Sequence, residues 1–282
     1  MIDKGNPTAT ALGVVGTVLW CIQLIPQFIY NYRRKDCTGL PVLMLFLWSA
    51  SGVPFGIYFM VQRANMALQI QPQLFTFFCL CTYWQTLYYP PVNLGWKKAT
   101  LIVGIQAIVS AGIELAVILP LRPVYDRGTT WPNLIPGIIA AVLLAVGLLP
   151  PYPELWKAKG QVVGINFVFL FLDSSGAVFN IISVCMQNGS LDILGIVLYC
   201  IVLALELGIF TSHIVWMIRL KYFGLEPVQS DKEEISMHSE EQEPRKFYEN
   251  VITYLFGEVR KPGDYDTACT AESESIDDCQ KV

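Results

Sequence analysis

Seven long apolar runs, separated by short polar breaks, dominate this sequence. A helix that crosses the hydrocarbon core of a bilayer needs about 20 mostly apolar residues, and every run is close to that length. The third run is the least apolar, because several glutamines and a proline lie near its ends. The pattern predicts an all-α membrane protein with seven transmembrane helices, at residues 8–30, 40–61, 68–89, 99–119, 134–156, 164–187 and 191–218.

The charged residues are few and unevenly distributed. Only 15% of the chain is charged, against about 25% in soluble domains. Residues 1–221 hold 13 basic and 8 acidic side chains, whereas the remaining residues hold 6 and 15. From residue 224 the sequence is too polar to form a core, so we predict an acidic, mostly disordered tail at 224–282. No clustered basic face supports nucleic-acid binding.

The basic residues of the short loops predict the orientation, because such residues favour the cytosolic side. With the N-terminus outside the cytosol, nine Lys or Arg residues are cytosolic and four are not. We therefore expect a luminal or extracellular N-terminus and a cytosolic C-terminus. The nine are Arg33, Arg34, Lys35, Lys97, Lys98, Lys157, Lys159, Arg219 and Lys221, and the four are Lys4, Arg63, Arg122 and Arg127.

Features typical of an enzyme are missing from the sequence. The loops are short, the two histidines are His213 and His238, and no glycine-rich phosphate loop is present. The 8 cysteines include no CxxC pair, which argues against a zinc site or a disulfide framework. We therefore predict no catalytic residue, no cofactor and no metal.

An internal repeat relates the first part of the chain to the second. A segment from Ile22 to Gly52 reappears about 124 residues later, with one residue of slippage in its loop. Each copy has a proline near the end of an apolar helix, then a basic loop, then a glycine that opens the next helix. The shift of four helices makes the copies parallel. We predict three-helix repeats at 1–92 and 131–223, joined by a linker helix and loop at 93–130.

These motifs resemble the PQ-loop family, which includes vacuolar and lysosomal amino-acid transporters and cystinosin, and is related to the SWEET carriers. The first signature is Pro26-Gln27 followed by Asn31 to Lys35 and Gly39-Leu40, and the second is Pro150 followed by Asp173 to Phe179. The resemblance implies two parallel three-helix bundles around a linker helix, transport of an amino acid or similar solute, and a vacuolar, lysosomal or other endomembrane location.

Two departures from the family pattern concern the substrate. Pro151 replaces the glutamine of the second signature, and the first repeat has no acidic residue near Gly52. The second departure weighs against a cationic substrate. Other PQ-loop relatives act in trafficking or lipid asymmetry, so a non-transporting receptor or regulator remains the alternative. In that case residues 224–282 would bind cytosolic sorting or regulatory proteins.

Three acidic residues lie well inside the predicted spans: Glu114, Asp173 and Glu206. A charged carboxylate at the middle of a bilayer costs about 2.5 to 3.5 kcal/mol or more, so its presence calls for a function. Asp173 and Glu206 lie at similar depths in consecutive antiparallel helices, and no basic residue matches that depth. We predict that they share a cavity and exchange a proton. Glu114 belongs to the linker helix, where we expect a structural or interfacial role.

Polar side chains follow the same helical faces. Asn166, Asp173 and Asn180 recur every seven residues, as do Tyr199, Glu206 and His213, while Gln23, Gln27 and Asn31 recur every four. Either these side chains line a substrate and proton site, or they join neighbouring helices by hydrogen bonds. For the transport reading we select Asn166, Asn180, Gln23, Gln27 and Tyr199 beside the two acids.

Pro26 and Pro150 are predicted to bend the first and fifth helices. A proline inside a helix removes a backbone hydrogen bond and clashes with the preceding turn. Since the two repeats carry these prolines at matching positions, we interpret them as hinges for alternating access. A static kink is the other interpretation. The sequence thus predicts a proton-coupled transporter of a small polar solute.

Overall fold

A computed structural model describes residues 6–64, 66–186 and 193–223. Within these ranges the chain is helical and has no strand. The helices are α1 (Pro7–Ile22), α2 (Leu24–Arg34), α3 (Val42–Val61), α4 (Met66–Tyr88), α5 (Trp96–Asp126), α6 (Leu134–Gly147), α7 (Pro151–Lys157), α8 (Phe167–Met186) and α9 (Ile193–Phe223), with a 3-10 turn at Trp131–Asn133. The predicted tail at 224–282 lies outside the described residues.

Six helical stretches of the described chain are long and apolar enough to cross a membrane. They comprise α1 with α2, α3, α5, the 3-10 turn with α6 and α7, α8, and α9. The all-α membrane class predicted from the sequence is therefore confirmed. The remaining long helix, α4, contains Gln69, Gln71, Pro72 and Gln73 in its first part, and it contacts α1, α2, α3 and α5.

The first and fifth predicted spans each contain a helix break, next to the prolines that the sequence predicts to bend them. The first breaks at Gln23 between α1 and α2, and the fifth breaks between Gly147 and Pro151. Pro26 lies in the first turn of α2 and Pro150 directly precedes α7. Pro26 has no N–H to donate to the carbonyl of Ile22, the last residue of α1, which explains the break at Gln23.

Contacts between the helices follow a repeated scheme. Helix α4 contacts α1, α2 and α3, and α9 correspondingly contacts α6, α7 and α8. Between these groups, α1 packs along α8 and α3 packs along α6. Helix α5 contacts α3 and α4 and, with 31 residues, is about 46 Å long. The two copies therefore face each other through their first two helices.

The loops of the two copies also share an unusual backbone. Lys35 and Lys159 have φ of 54° and 52°, and Gly39 and Gly164 have φ of 85° and 78°. All four lie in the left-handed region, and each pair is separated by the repeat shift. Lys35 closes α2 by donating its N–H to the carbonyl of Asn31. The repeat recognised in the sequence is thus also a repeat of local conformation.

Candidate functional site

A cavity lies between the two copies, with about 440 Å³ of space free of protein atoms, part of which is open to the outside. Asp173 of α8 contributes a carboxyl group to its wall. The lining extends from Asp173 to Phe59 in the last turns of α3 and to Gln71 in the second turn of α4. The full lining is Trp20, Gln23, Trp48, Phe55, Phe59, Gln71, Pro72, Phe75, Leu144 and Asp173.

The two acidic residues predicted to act together are brought together behind this wall. Asp173 is 3% exposed and Glu206 of α9 is 0% exposed, and their carboxyl groups lie within hydrogen-bonding reach of each other. Ser174 Oγ donates to Glu206 Oε2 at 2.7 Å, while Glu206 Oε1 is buried without a donor. A hydrogen bond between two carboxyl groups needs a proton on one of them, so this pair is suited to hold a single proton.

Two tryptophans join the copies in a reciprocal arrangement. Trp20 Nε1 donates to the carbonyl oxygen of Asp173 at 3.0 Å, and Trp48 Nε1 donates to that of Leu144 at 3.2 Å. By the repeat shift, Asp173 corresponds to Trp48 and Leu144 corresponds to Trp20. Trp20 therefore binds the residue equivalent to Trp48, and Trp48 binds the residue equivalent to Trp20. Asp173, the acid of the cavity, is the equivalent of Trp48 in the second copy.

A glycine lies under each of these indole rings. Gly176 is three residues after Asp173 and contacts Trp20, while Gly147 is three residues after Leu144 and contacts Trp48. A Cβ atom on either glycine would overlap Cδ1 of the ring. Both positions thus need glycine for the close approach of a ring to a helix.

The basic end of the protein, where α2, α4, α7 and α9 end and α5 begins, is closed by the two repeated loops. A Cβ atom on Gly39 would lie 2.5 Å from the carbonyl oxygen of Val163, and one on Gly164 would overlap that of Thr38. The contact is reciprocal under the repeat shift. Backbone meets backbone here, so no side-chain movement relieves an added methyl group.

Cys37 lies in one of these closing loops and is 1% exposed. Its N–H donates to the carbonyl of Pro90, and its own carbonyl accepts from the N–H of Leu40. Burial, followed by the charge of Asp36, raises the pKa of the Cys37 thiol to about 12, against a smaller opposing effect of Arg34. The thiol is therefore neutral while this end stays closed.

Gln27, predicted to line the solute site, instead joins the copies near the basic end. Its Nε2 donates to Asn31 Oδ1 at 2.8 Å and to the carbonyl of Gly164 at 2.9 Å, and its Oε1 accepts from the N–H of Asn166 at 2.7 Å. It is 0% exposed. Because both ends of the amide are occupied by protein, Gln27 holds α2 against the loop that precedes α8.

Asn166 does not lie on a transmembrane helix, contrary to the sequence prediction. It precedes α8, and its Oδ1 accepts from the N–H of Val168 at 2.7 Å. This is an N-terminal cap, a position that asparagine favours because its short side chain reaches the free N–H groups of the first turn. Asn166 is absent from the cavity lining.

The other predicted site residues lie nearer the tryptophans. Gln23, at the break between α1 and α2, lines the cavity, and its Oε1 is buried without a hydrogen-bond partner. The Tyr199 ring meets the edge of Trp20, with 5.3 Å between ring centroids. Asn180 is buried against Gly16, where a Cβ would lie 2.6 Å from its Oδ1. Tyr199 therefore packs against a ring of the cavity wall, whereas Asn180 packs against α1 at Gly16.

Glu114 of α5 is not among the residues that line the cavity, and it accepts a hydrogen bond from Gln73 Nε2 of α4 at 2.5 Å. Gly56 of α3 lies beneath this pair, where a Cβ would be 2.8 Å from Gln73 Nε2. Gln106 of α5 likewise donates to Ser49 Oγ at 2.6 Å. These contacts attach α5 to the first copy, as the interfacial interpretation of Glu114 predicted.

Sequence reasoning missed most of the cavity wall, which is aromatic. Phe55, Phe59 and Phe75 sit in apolar helices, where a ring that lines a cavity has the same sequence pattern as one that faces lipid. Trp20 and Trp48 could be recognised as unusual from the sequence, because both lie inside predicted spans, whereas tryptophan favours membrane interfaces. Among the described residues, no group of three or more His, Cys, Asp or Glu is placed to bind a metal ion.

Comparison with known proteins identifies relatives along most of the chain. The family model described as the PQ loop repeat matches residues 8–68. The uncharacterized membrane protein YDR090C of Saccharomyces cerevisiae is 51% identical over 262 residues, which cover 91% of this chain and 84% of the relative. The uncharacterized protein C2E12.03c of Schizosaccharomyces pombe is 36% identical over 221 residues, which cover 77% and 76%.

Proposed function

The chain belongs to the PQ-loop repeat family of membrane proteins, and we propose that it is a proton-coupled carrier of a small polar solute. The observation that carries this proposal is the Asp173–Glu206 pair at the wall of a central cavity. Two buried carboxyl groups without a basic neighbour in the lining are costly in a membrane. Proton binding that alternates with solute binding would explain why the protein keeps two carboxyl groups at this costly place.

The helix contacts support the arrangement of two three-helix bundles with α5 as the linker. In this proposal, one bundle consists of α1 to α4 and the other of α6 to α9, and the cavity lies at their interface. The bundles touch through the paired tryptophans and through the glycine loops at the basic end. Rocking about the tryptophans would part the loops.

Alternating access is supported by the difference between the two ends of the cavity. The basic end is closed by backbone contacts of Gly39 and Gly164, whereas the lining extends toward the α3–α4 turn. Pro26 and Pro150 border the helix breaks of the two copies and are the proposed hinges. Since basic loops favour the cytosol, we assign this conformation as closed to the cytosol and open to the lumen of an endomembrane compartment.

Transport into proteoliposomes tests the proposal. The full chain is reconstituted, and uptake of labelled amino acids, amines and sugars is measured with and without a pH gradient. We expect gradient-dependent uptake of at least one solute, with loss of that dependence in Asp173→Asn. The control is Glu114→Gln, which makes the same chemical change in a membrane helix outside the cavity. A folded protein that moves no solute under either gradient contradicts the proposal.

The receptor or regulator interpretation predicts a different result. There, removal of residues 224–282 abolishes function and Asp173→Asn has little effect. For a carrier, the truncated chain keeps gradient-dependent uptake. The same reconstitution therefore separates the two functions.

A further inference from the structure

The cavity has an aromatic wall. Five of its ten lining residues are aromatic, and the rings of Trp48 and Phe75 lie with their centroids 5.7 Å apart; the five are Trp20, Trp48, Phe55, Phe59 and Phe75. Aromatic ring faces carry negative charge density and attract organic cations within about 6 Å of the ring centroid.

The charge carried by the described cavity lining is negative. Asp173 lines the cavity, and the described lining contains no Lys, Arg or His. Beyond the α3 end of the wall, Arg63 pairs with Asp126 at 2.8 Å, and Arg122 donates from Nη2 to the carbonyl of Met60 at 2.9 Å while its Nε is buried without a partner. A positively charged guest would be matched beside Asp173.

The hydrogen-bonding capacity left in the cavity points the same way. Both indole N–H groups already donate to backbone carbonyls. Gln23 Oε1 is buried without a partner. This unused group of the lining is an acceptor, so the guest that satisfies it is a donor.

An amino acid fits this cavity poorly. Its carboxylate would enter an aromatic space beside Asp173, with amide N–H groups as its best partners and no cation to neutralise it. A buried carboxylate without a cation is strongly disfavoured. The missing acid near Gly52 removes one carboxyl expected from the family, but Asp173 of the second copy supplies the negative charge from the opposite wall.

Given the proposed carrier function, we infer that the solute is an organic amine or ammonium cation with an apolar body and no carboxylate. Its cationic group lies against Asp173 between the indoles of Trp20 and Trp48, and donates to Gln23 Oε1 when it carries N–H. Its apolar body extends along the three phenylalanines toward the α3–α4 turn.

Three compounds of nearly equal shape test the inference by binding alone. Phenethylamine is a cation without a carboxylate, L-phenylalanine adds the carboxylate, and 2-phenylethanol replaces the amine with a neutral group. Their affinities are measured by calorimetry on the full chain in lipid nanodiscs, with empty nanodiscs to subtract partition into lipid. We expect phenethylamine to bind at least about tenfold more tightly than either of the others.

Matched variants assign the binding to the cavity. Asp173→Asn should weaken phenethylamine binding at least about tenfold, because the cation loses its charged partner. Glu114→Gln should bind it like the unmodified protein. Phe55→Leu, a change at the partly exposed end of the wall, should weaken binding about threefold by removing one ring face. Phe55→Leu also tests the site independently if Asp173→Asn does not fold.

The outcomes separate this inference from the carrier proposal. The inference of an organic cation is overturned if phenylalanine binds as tightly as phenethylamine or more tightly. It is also overturned if phenethylamine binding is unchanged in both Asp173→Asn and Phe55→Leu. If an amino acid is taken up under a pH gradient while phenethylamine does not bind, the carrier stands and the inference fails. If phenethylamine binds as expected but no labelled solute is transported, the cation site stands and the carrier fails.

Discussion

Replacing Gly39 with alanine should open the basic end of the protein. The added Cβ would lie 2.5 Å from the carbonyl oxygen of Val163, well inside the 3.4 Å at which ordinary contacts begin. The neighbouring atom belongs to the backbone of the second copy, so the two loops must separate to make room. Gly39 also has φ of 85°, where an L-residue is strained whether the end is open or closed.

The overlap sets the size of the expected effect. Overpacking by one methyl group costs about 1 to 3 kcal/mol, and this cost falls on the closed conformation alone. A bias of that size raises the ratio of open to closed protein about 5- to 150-fold. The strain from φ adds little to this ratio, because it is present in both conformations.

Cys37, two residues away, reports the opening. It is buried and its neutral thiol reacts slowly while the end is closed. Labelling by a maleimide is followed residue by residue with mass spectrometry, so the other cysteines need no replacement. The Cys37 labelling rate should rise with the open population, about 5-fold or more in Gly39→Ala.

Gly128→Ala is the matched control, because Gly128 has φ of 93° and its Cβ would meet nothing within 4 Å. It adds the same methyl group under the same backbone strain without an overlap. Its Cys37 labelling rate should equal that of the unmodified protein. The reasoning is refuted if folded Gly39→Ala labels at the unmodified rate, or if Gly128→Ala labels as fast as Gly39→Ala.

Further changes test other parts of the structure. Gln27→Leu leaves three partners of the amide without a hydrogen bond and should lower the unfolding temperature by about 4 to 8 °C in a thermal scan. An unchanged unfolding temperature would show that the Gln27 amide does not join the two copies. Gly176→Ala should push Trp20 aside and change its fluorescence maximum, while Gly112→Ala, with nothing within 4 Å, should not. In Glu206→Gln, uptake in proteoliposomes should cease to follow the pH gradient, and retained dependence would exclude a shared proton. Folding raises the pKa of the Cys37 thiol from 9.0 to about 12, so between these pH values only the unfolded thiol ionises. The free energy of unfolding should therefore fall as the pH rises above 9. Denaturant titrations at pH 8 and pH 10 should show a smaller fall for Cys37→Ser than for the unmodified protein.

The secondary structure could be predicted well because bilayer-length apolar runs leave a backbone few alternatives to helix. The helix ends were less predictable. Pro26 and Pro150 predict bends in the first and fifth spans, but a hydropathy pattern does not give the residues at which the helices break, which are Gln23 and the stretch between Gly147 and Pro151. Asn166 is predicted within a helix but precedes it, because a cap and a buried stripe residue share one residue type.

The candidate site could be predicted only where its residues are unusual for a membrane. Asp173 and Glu206 stood out because a charge is costly there, and the repeat showed that Asp173 occupies the position of Trp48. The aromatic wall carried no comparable signal. Gln27 and Gln23 look alike in sequence, yet the amide of Gln27 is bonded to protein at both ends, whereas Gln23 lines the cavity and has a buried oxygen without a partner.

The sequence by itself determined the helical membrane class, the internal repeat and the two acids, because each is a property of composition or of local order along the chain. Only the tertiary structure decided that each tryptophan binds the other's equivalent position and that Gly39 and Gly164 close one end. These contacts join residues 96 to 153 positions apart, and backbone atoms make many of them. Backbone groups are the same at every residue, so no sequence pattern encodes which of them come into contact.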